Sequence, residues 1–385
     1  MLEPLKEKRQ KPFFVADPQA KLQRIIKTGI LAAIAAYFLI QFLLLSFQYL
    51  RYPYEIDYGE GCGLTFLTHL KTYGTYFFDI NDYPFSYATY PPVFMLITWA
   101  VNLVVPSGLM AARLVSIAAT CLLILVLYLL LWNRTKDRLL SLLFALSFLG
   151  IWFVRLWAPL GRIDMVVCLF TLTGLFCFQV YQGSRKRYWA FFFFVLAFFT
   201  KQNAVLAPAA VLLYALIRKE QRKYFFSYLA AYLIPIVVLF SLLNLYTHGE
   251  AFKHLFLLTA QRSISLEGTY INLTSFLVFM WLPLILCFLG IYKGKKTNES
   301  LLYLIYLVLC LASTPASTVG GANMNYFIEP ALGLILFSAV VCRGALDRIQ
   351  EGKKRSWRRW MLVILVATYG IVSYRFSDSI LGERW

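Results

Sequence analysis

The tract YEIDYGEGCG, residues 54–63, sets Glu55, Asp57 and Glu60 within six positions of a 385-residue chain that holds only 19 acids. Downstream, GRID carries Arg162 and Asp164, and TKQN carries Lys201 and Gln202, each at the edge of a long apolar run. Carboxylates are suitable bases near neutral pH, the more so when partial burial raises their affinity for a proton. Lysine and arginine stabilise the negative charge that grows on a departing phosphate. Together they suit a reaction in which an acceptor hydroxyl attacks an anomeric carbon and a phosphate leaves. Phosphate is already a good leaving group, so a base and cations suffice and no general acid is needed. That chemistry requires acids and cations on one side of whatever surrounds the chain.

The surroundings are a membrane. Mean hydropathy is +0.66 and only 15% of residues are charged, while apolar runs of membrane-spanning length recur from Ile25 to Tyr374. The polar, basic residues 1–24 are followed by a run too long for a cleaved signal, so 25–50 is read as an anchor that stays. Six of the seven cysteines fall in apolar runs, Cys62 alone lies in a polar loop, and no disulfide framework or metal-type CxxC is visible. His69, His248 and His254 lack the HExxH spacing of a histidine metal centre.

Basic clusters give the orientation. KEKRQK, NRTKDR, GSRKR, RKEQRK, KGKK and DRIQEGKKRSWRR belong inside by the positive-inside rule, so the spans between them must pair. The runs 139–155 with 164–182, 188–200 with 203–217, 225–246 with 276–292, and 300–314 with 328–342 do so, and 360–374 crosses last. Between the first anchor and NRTKDR only 110–132 is long enough. The shorter run 91–105 is therefore read as a helix lying on the outer surface, which gives about eleven spans. The formal charge of +18 is then a topology signal, and a nucleic-acid partner is not expected.

This topology collects the chemistry outside. The first loop, 51–109, holds the carboxylates, the amphipathic GLTFLTHLKTYG and the aromatic turn through Tyr90; two short links hold Arg162, Asp164, Lys201 and Gln202; 247–272 and the turn 317–330 complete the face. Charges placed at such depth are costly unless paired or solvated, so each marks a functional or ion-paired site. In GGANMNYFIEP, Asn323, Asn325 and Tyr326 offer hydrogen bonds to sugar hydroxyls. The same residues also suit the start of a helix, with Glu329 complementing its dipole and Pro330 in its first turn. Tyr90 and its aromatic neighbours suit stacking on a sugar or isoprenoid, or an interfacial belt.

In order along the chain, DYGEG, YPPVFML, AARLVS, GRIDMVV, FFTKQNAVLAP and GGANMNYFIEP resemble the GT-C superfamily of membrane glycosyltransferases. The nearest likeness is to bacterial proteins with an RgtA/B/C/D-like domain, relatives of the protein O-mannosyltransferases and the lipid A aminoarabinose transferase. The resemblance implies an all-α polytopic GT-C fold without a separate soluble domain, with interfacial helices in the first extracytoplasmic loop, in a bacterial inner membrane. It implies inverting transfer from a polyprenyl-phosphate sugar donor to a glycan, lipid or protein acceptor, with an acid of the first loop as base. Where many relatives carry an adjacent Asp-Glu pair, this chain reads Gly59-Glu60, so Asp57 is the first choice and Glu60 its rival. Asp164 is the second acid, orienting the acceptor or, with Asp57, holding a divalent metal ion. Relatives with a lysine after the Pro-Pro pair differ from YPPVFML, which leaves Lys201, with Gln202 and Arg162, to hold the donor phosphate. A lipid or small-molecule transporter is the alternative, since ionisable groups could instead line a pathway.

Overall fold

Where water is scarce a backbone must satisfy its own N–H and C=O groups, and an α-helix does so within one segment. The computed structural model describes residues 18–293, 298–319 and 323–350. Among these it is helical, with short 3-10 and π turns and one isolated antiparallel bridge between Ile264 and Val319. In order the helices are α1 (Pro18–Arg51), α2 (Tyr58–Tyr73), α3 (Val93–Asn102), α4 (Gly108–Thr135), α5 (Arg138–Ser147), α6 (Trp152–Trp157), α7 (Asp164–Val180), α8 (Trp189–Phe198), α9 (Leu206–Ile217), α10 (Lys219–Arg222), α11 (Phe225–Tyr246), α12 (Glu250–Phe252), α13 (Leu266–Lys293), α14 (Asn298–Ala312) and α15 (Ile328–Gln350).

Six segments among the described residues are long and apolar enough to cross a membrane: 32–51, 108–135, 225–246, 266–288, 300–317 and 324–341. The other expected spans are shorter. The run 139–155 breaks into α5, a 3-10 turn at Phe148–Gly150, and α6. At the break the chain lies close to α1, for a Cβ at Gly150 would meet the Phe38 ring at 2.6 Å. The runs around α8 and α9 give helices of only 10 and 12 residues, and α3, also 10 residues, is likewise shorter than a membrane span. The expected loop 247–272 is shorter than its polarity suggests. Ser265 accepts a hydrogen bond from the Gly268 N–H at 3.1 Å, and this cap starts α13 before the hydropathy rises. The run 360–374 and most of the segment 1–24 lie outside the described residues.

Helix α4 is the hub. It packs against α3, α5, α7 and α15, and α7 in turn packs along α8. One face of α4 is polar although buried: Arg113, Ser116 and Thr120 recur at i, i+3 and i+7. Ser116 Oγ donates to the Arg162 carbonyl at 2.8 Å and accepts from its N–H at 3.2 Å, while Thr120 Oγ1 reaches the Ala158 carbonyl at 3.3 Å. This stripe fixes the link 158–163 that carries Arg162 to the start of α7.

A second tie joins the aromatic part of the first loop to a π turn, Lys253–Leu258. Buried His254 accepts the Ala88 N–H on Nδ1 at 2.9 Å, so its Nε2 donates to the Phe78 carbonyl at 2.7 Å. Tyr87 Oη meets Thr259 Oγ1 at 2.9 Å, and Lys253 bridges Asp79 at 3.3 Å and Glu250 at 3.2 Å.

Burial lowers the proton affinity of His254, and Nδ1 can accept from Ala88 only in the neutral ring. A depressed folded-state value means that the clamp is intact above the ordinary histidine range and weakens as pH falls below it. Hydrogen exchange of residues 78–90, corrected for intrinsic rate, is expected to be faster at pH 5.5 than at pH 7.5. His254→Gln is expected to abolish the difference. Equal protection of the wild type at both values would remove His254 as the clamp.

Candidate active site

The site begins at the first turn of α2. Asp57, in an extended conformation (φ −134°, ψ 139°), caps this helix by accepting the Gly59 N–H at 3.0 Å. Glu60 lies in the same turn, where the helix dipole favours an acid. Its oxygens leave no lone pair free. Oε1 accepts from Arg113 Nε at 2.9 Å and the Gly161 N–H at 2.8 Å; Oε2 accepts from Arg113 Nη2 at 2.7 Å and the Ile56 N–H at 2.9 Å. The Arg113 fork spends its other donors on the carbonyls of Tyr49 and Tyr52, each at 2.6 Å, and of Tyr54 at 2.7 Å. Every donor of one side chain and every lone pair of the other is thus used. Through this pair α4 grips the C-terminal end of α1, the first turn of α2 and the link at Gly161.

On that base lies a row of alternating charge. Arg162 bonds the Asp57 carboxylate and stands 3.6 Å from Asp164 Oδ2. Lys201 Nζ donates to Asp164 Oδ1 at 3.0 Å, and Asn325 Nδ2 donates to the same oxygen at 3.1 Å. Burial opposes the charge on Arg162, but Asp164, Tyr90 and Asp57 outweigh it and hold the guanidinium firmly protonated. Glycine permits the close approach: a Cβ at Gly59 would collide with the Arg162 guanidinium, and one at Gly161 would lie 2.8 Å from the Ala112 Cβ.

Two cavities flank the row. The larger, about 510 Å³, is walled by aromatic and apolar side chains including Phe66, Phe85, Tyr87, Tyr90, Phe94 and Met95, with Arg162 and Arg262 as its cations. Arg262 is held over the Tyr87 ring at 5.4 Å. The smaller, about 220 Å³, is lined by Asp164, Lys201, Asn325, Tyr326 and Glu329 among others. There Lys201 stands 4.8 Å from the centre of the Tyr326 ring, and Glu329 accepts a hydrogen bond from Tyr306 at 3.0 Å.

Several expectations change on this geometry. Glu60 is a poor base, because it is enclosed and all its lone pairs are filled. Gln202 cannot donate to phosphate: its Nε2 bonds the carbonyls of Thr89 and Leu255 at 3.1 and 3.2 Å, and its remaining oxygen is an acceptor. Asn323 is exposed and caps the 3-10 turn Met324–Phe327 by accepting the Met324 N–H, so its role is local. Lys201 and Arg162 do not face one cavity; they share Asp164 and look to either side of it. A divalent ion held by Asp57 and Asp164 does not fit, since the Arg162 guanidinium already binds both carboxylates. Among the described residues no group of three or more His, Cys, Asp or Glu is arranged to hold a metal.

The sequence reading gave no site role to Arg113, Arg262 or His254. Arg113 had a signal, being the sole charge well inside the apolar run that begins at Leu109. Arg262 had none, since one arginine in a polar loop is ordinary.

Comparison with known proteins bears on this arrangement. The family profile described as dolichyl-phosphate-mannose-protein mannosyltransferase matches residues 89–248. Among solved structures, ArnT from Cupriavidus metallidurans bound to undecaprenyl phosphate superposes with a TM-score of 0.65 at 17% identity, covering 88% of this chain and 63% of ArnT. The oligosaccharyltransferase AglB from Archaeoglobus fulgidus, in complex with an inhibitory peptide and a dolichol-phosphate, gives 0.61 at 12% identity, covering 92% of this chain and 56% of AglB. The chain thus spans less than two thirds of either protein. A search of curated proteins finds no match. The chain has the GT-C fold.

The enclosed Glu60–Arg113 pair makes a stability prediction. Arg113→Met strands a buried carboxylate and is expected to cost about 3–5 kcal/mol. Thermal unfolding of detergent-purified protein reads the loss as a lower midpoint, and adding Glu60→Leu should restore part of it. An Arg113→Met midpoint equal to wild type would refute the account of the pair.

Proposed function

We propose that this chain is an inverting membrane glycosyltransferase that moves a sugar from a polyprenyl-phosphate donor to a hydroxyl of a lipid, glycan or protein acceptor at the extracytoplasmic face. The observation that carries the reading is the position of Asp57. Its side chain is 21% exposed, against 3% for Asp164 and none for Glu60, and it is bonded to an arginine in the wall of the larger cavity. A base must meet its substrate, and Asp57 is the most open of the three.

The larger cavity has the size and the mixed lining of a small-molecule site. Its aromatic walls suit a sugar face and the first isoprene units, while Arg162 and Arg262 suit the phosphate that joins them. The acceptor hydroxyl approaches the anomeric carbon from the side away from the phosphate and gives its proton to Asp57. The glycosidic bond forms as the carbon–oxygen bond to phosphate breaks, and the new negative charge falls to the guanidinium groups. Before the donor arrives Asp57 and Asp164 share Arg162. An incoming phosphate competes for that cation, loosening its hold on Asp57 as the base comes into use. Lys201 supports this by keeping Asp164 neutralised, which makes it a positioning residue, while Asn325, Tyr326 and Glu329 line the smaller cavity and have the chemistry to bond acceptor or sugar hydroxyls. The relatives supply the lipid: the ArnT structure holds undecaprenyl phosphate and the AglB structure a dolichol-phosphate.

Transfer from a panel of polyprenyl-phosphate hexoses and pentoses by the purified chain in proteoliposomes tests this. Asp57→Asn is expected to lower kcat about 100-fold or more with little change in donor KM. Arg262→Ala should chiefly raise donor KM. Full activity in Asp57→Asn would end the assignment of the base, and donor crossing the bilayer without transfer would favour the transporter.

A further inference from the structure

At the end of α7 away from Asp164 lies a cavity of about 460 Å³ that the proposed reaction does not use. Seventeen residues of helix, roughly 25 Å, separate it from the candidate active site. It is lined by Arg185, Arg187 and Lys223, by Tyr188 and Tyr224, and by one acid, Glu220, which already pairs with Arg218 at 3.2 Å.

Arg187 is the unusual member. Its residue is only 4% exposed, and its guanidinium stacks 4.1 Å from the centre of the Phe178 ring. Nε donates to the Phe178 carbonyl at 3.0 Å, and Nη1 donates to Gln221 Oε1 at 2.6 Å and Tyr228 Oη at 2.9 Å. Nη2 is buried without a hydrogen-bond partner, and among the described residues no carboxylate lies within ion-pair distance of the group. A buried charge left unneutralised is expensive, and the remedy is an anion. A phosphate matches the fork of a guanidinium, and the exposed Arg185 and Lys223 add charge around it. Tyr188, Tyr224 and the neighbouring Trp189, all exposed, are the amphipathic rings that settle at headgroup depth.

We propose that this cavity binds the phosphate of an anionic phospholipid headgroup, in the leaflet opposite the candidate active site. The lipid neutralises Arg187 and fixes the junction of α7, α8 and α11. Since the site shares no residue with the catalytic row, it stands whether or not the proposed reaction does.

The test is thermal unfolding of the full chain in neutral detergent, titrated with short-chain phosphatidylglycerol, with phosphatidylcholine and with inorganic phosphate. Phosphatidylglycerol is expected to raise the midpoint saturably, and phosphatidylcholine to leave it unchanged. Arg185→Glu with Lys223→Glu, both at exposed positions that should still fold, is expected to raise the half-saturating concentration at least tenfold. Lys186→Glu with Lys219→Glu, equally exposed but outside the cavity wall, should stay within twofold of wild type. An equal response in wild type and the cavity variant, or equal losses in both variants, overturns the site. The same shift with inorganic phosphate overturns the lipid as its source.

Discussion

The candidate active site hangs from one buried ion pair. Glu60 and Arg113 lie 53 residues apart, and between them they tie the end of α1, the first turn of α2, α4 and the link at Gly161. Burying two charges is costly, and the cost is recovered only where geometry is good and the remaining polar atoms are bonded. Here the fork meets the carboxylate twice, and the spare donors take the Tyr49 carbonyl in the last turn of α1 and the Tyr52 and Tyr54 carbonyls just beyond it. Asp57 therefore reaches Arg162 because Glu60 has set the helix that Asp57 caps. The two acids, three residues apart, differ in exposure: the Glu60 side chain is fully buried and that of Asp57 is 21% exposed.

The row Asp57, Arg162, Asp164, Lys201 carries no net charge, which explains how it can exist among apolar helices at all. Each member is stabilised by its neighbours, so changing one redistributes the rest. Arg262 adds a cation on the other loop, and the His254 clamp holds that loop against the aromatic turn. The two loops beside the cavity are thus tied by the His254 hydrogen bonds and by the Lys253–Asp79 ion pair, while Arg162, itself paired with Asp57, stands in the cavity wall.

Charges were the legible part of the site. In a chain this apolar, Asp57, Arg162, Asp164 and Lys201 stand out by type and by position, and the structure brings them together. Partners distant in sequence were not legible. Nothing local distinguishes Glu60 from Asp57 as a base, because what disqualifies Glu60 is an arginine on another helix. Gln202 has the side chain of a phosphate ligand, but its donors are taken by the carbonyls of Thr89 and Leu255. The helical class followed from hydropathy, but lengths did not. The break at Gly150 sits against Phe38 of α1, and α13 starts early with a cap at Ser265, where a hydropathy profile sees only polar loop.

The acids of this chain are few, and where they are spent separates the two ends of α7. At one end Glu60, Asp57 and Asp164 neutralise Arg113, Arg162 and Lys201. At the other, a buried arginine is given an aromatic ring, a carbonyl, an amide and a phenol, but no carboxylate among the described residues. The difference is not explained by the positive-inside rule, which concerns exposed loops and has no need of a buried guanidinium. It is explained if compensation comes from the chain at one end and from the membrane at the other. An acid beside Arg187 would compete with a phosphate for it. On the proposed reading such competition is useful at the candidate active site, where a donor phosphate would arrive and leave, whereas a structural lipid would stay.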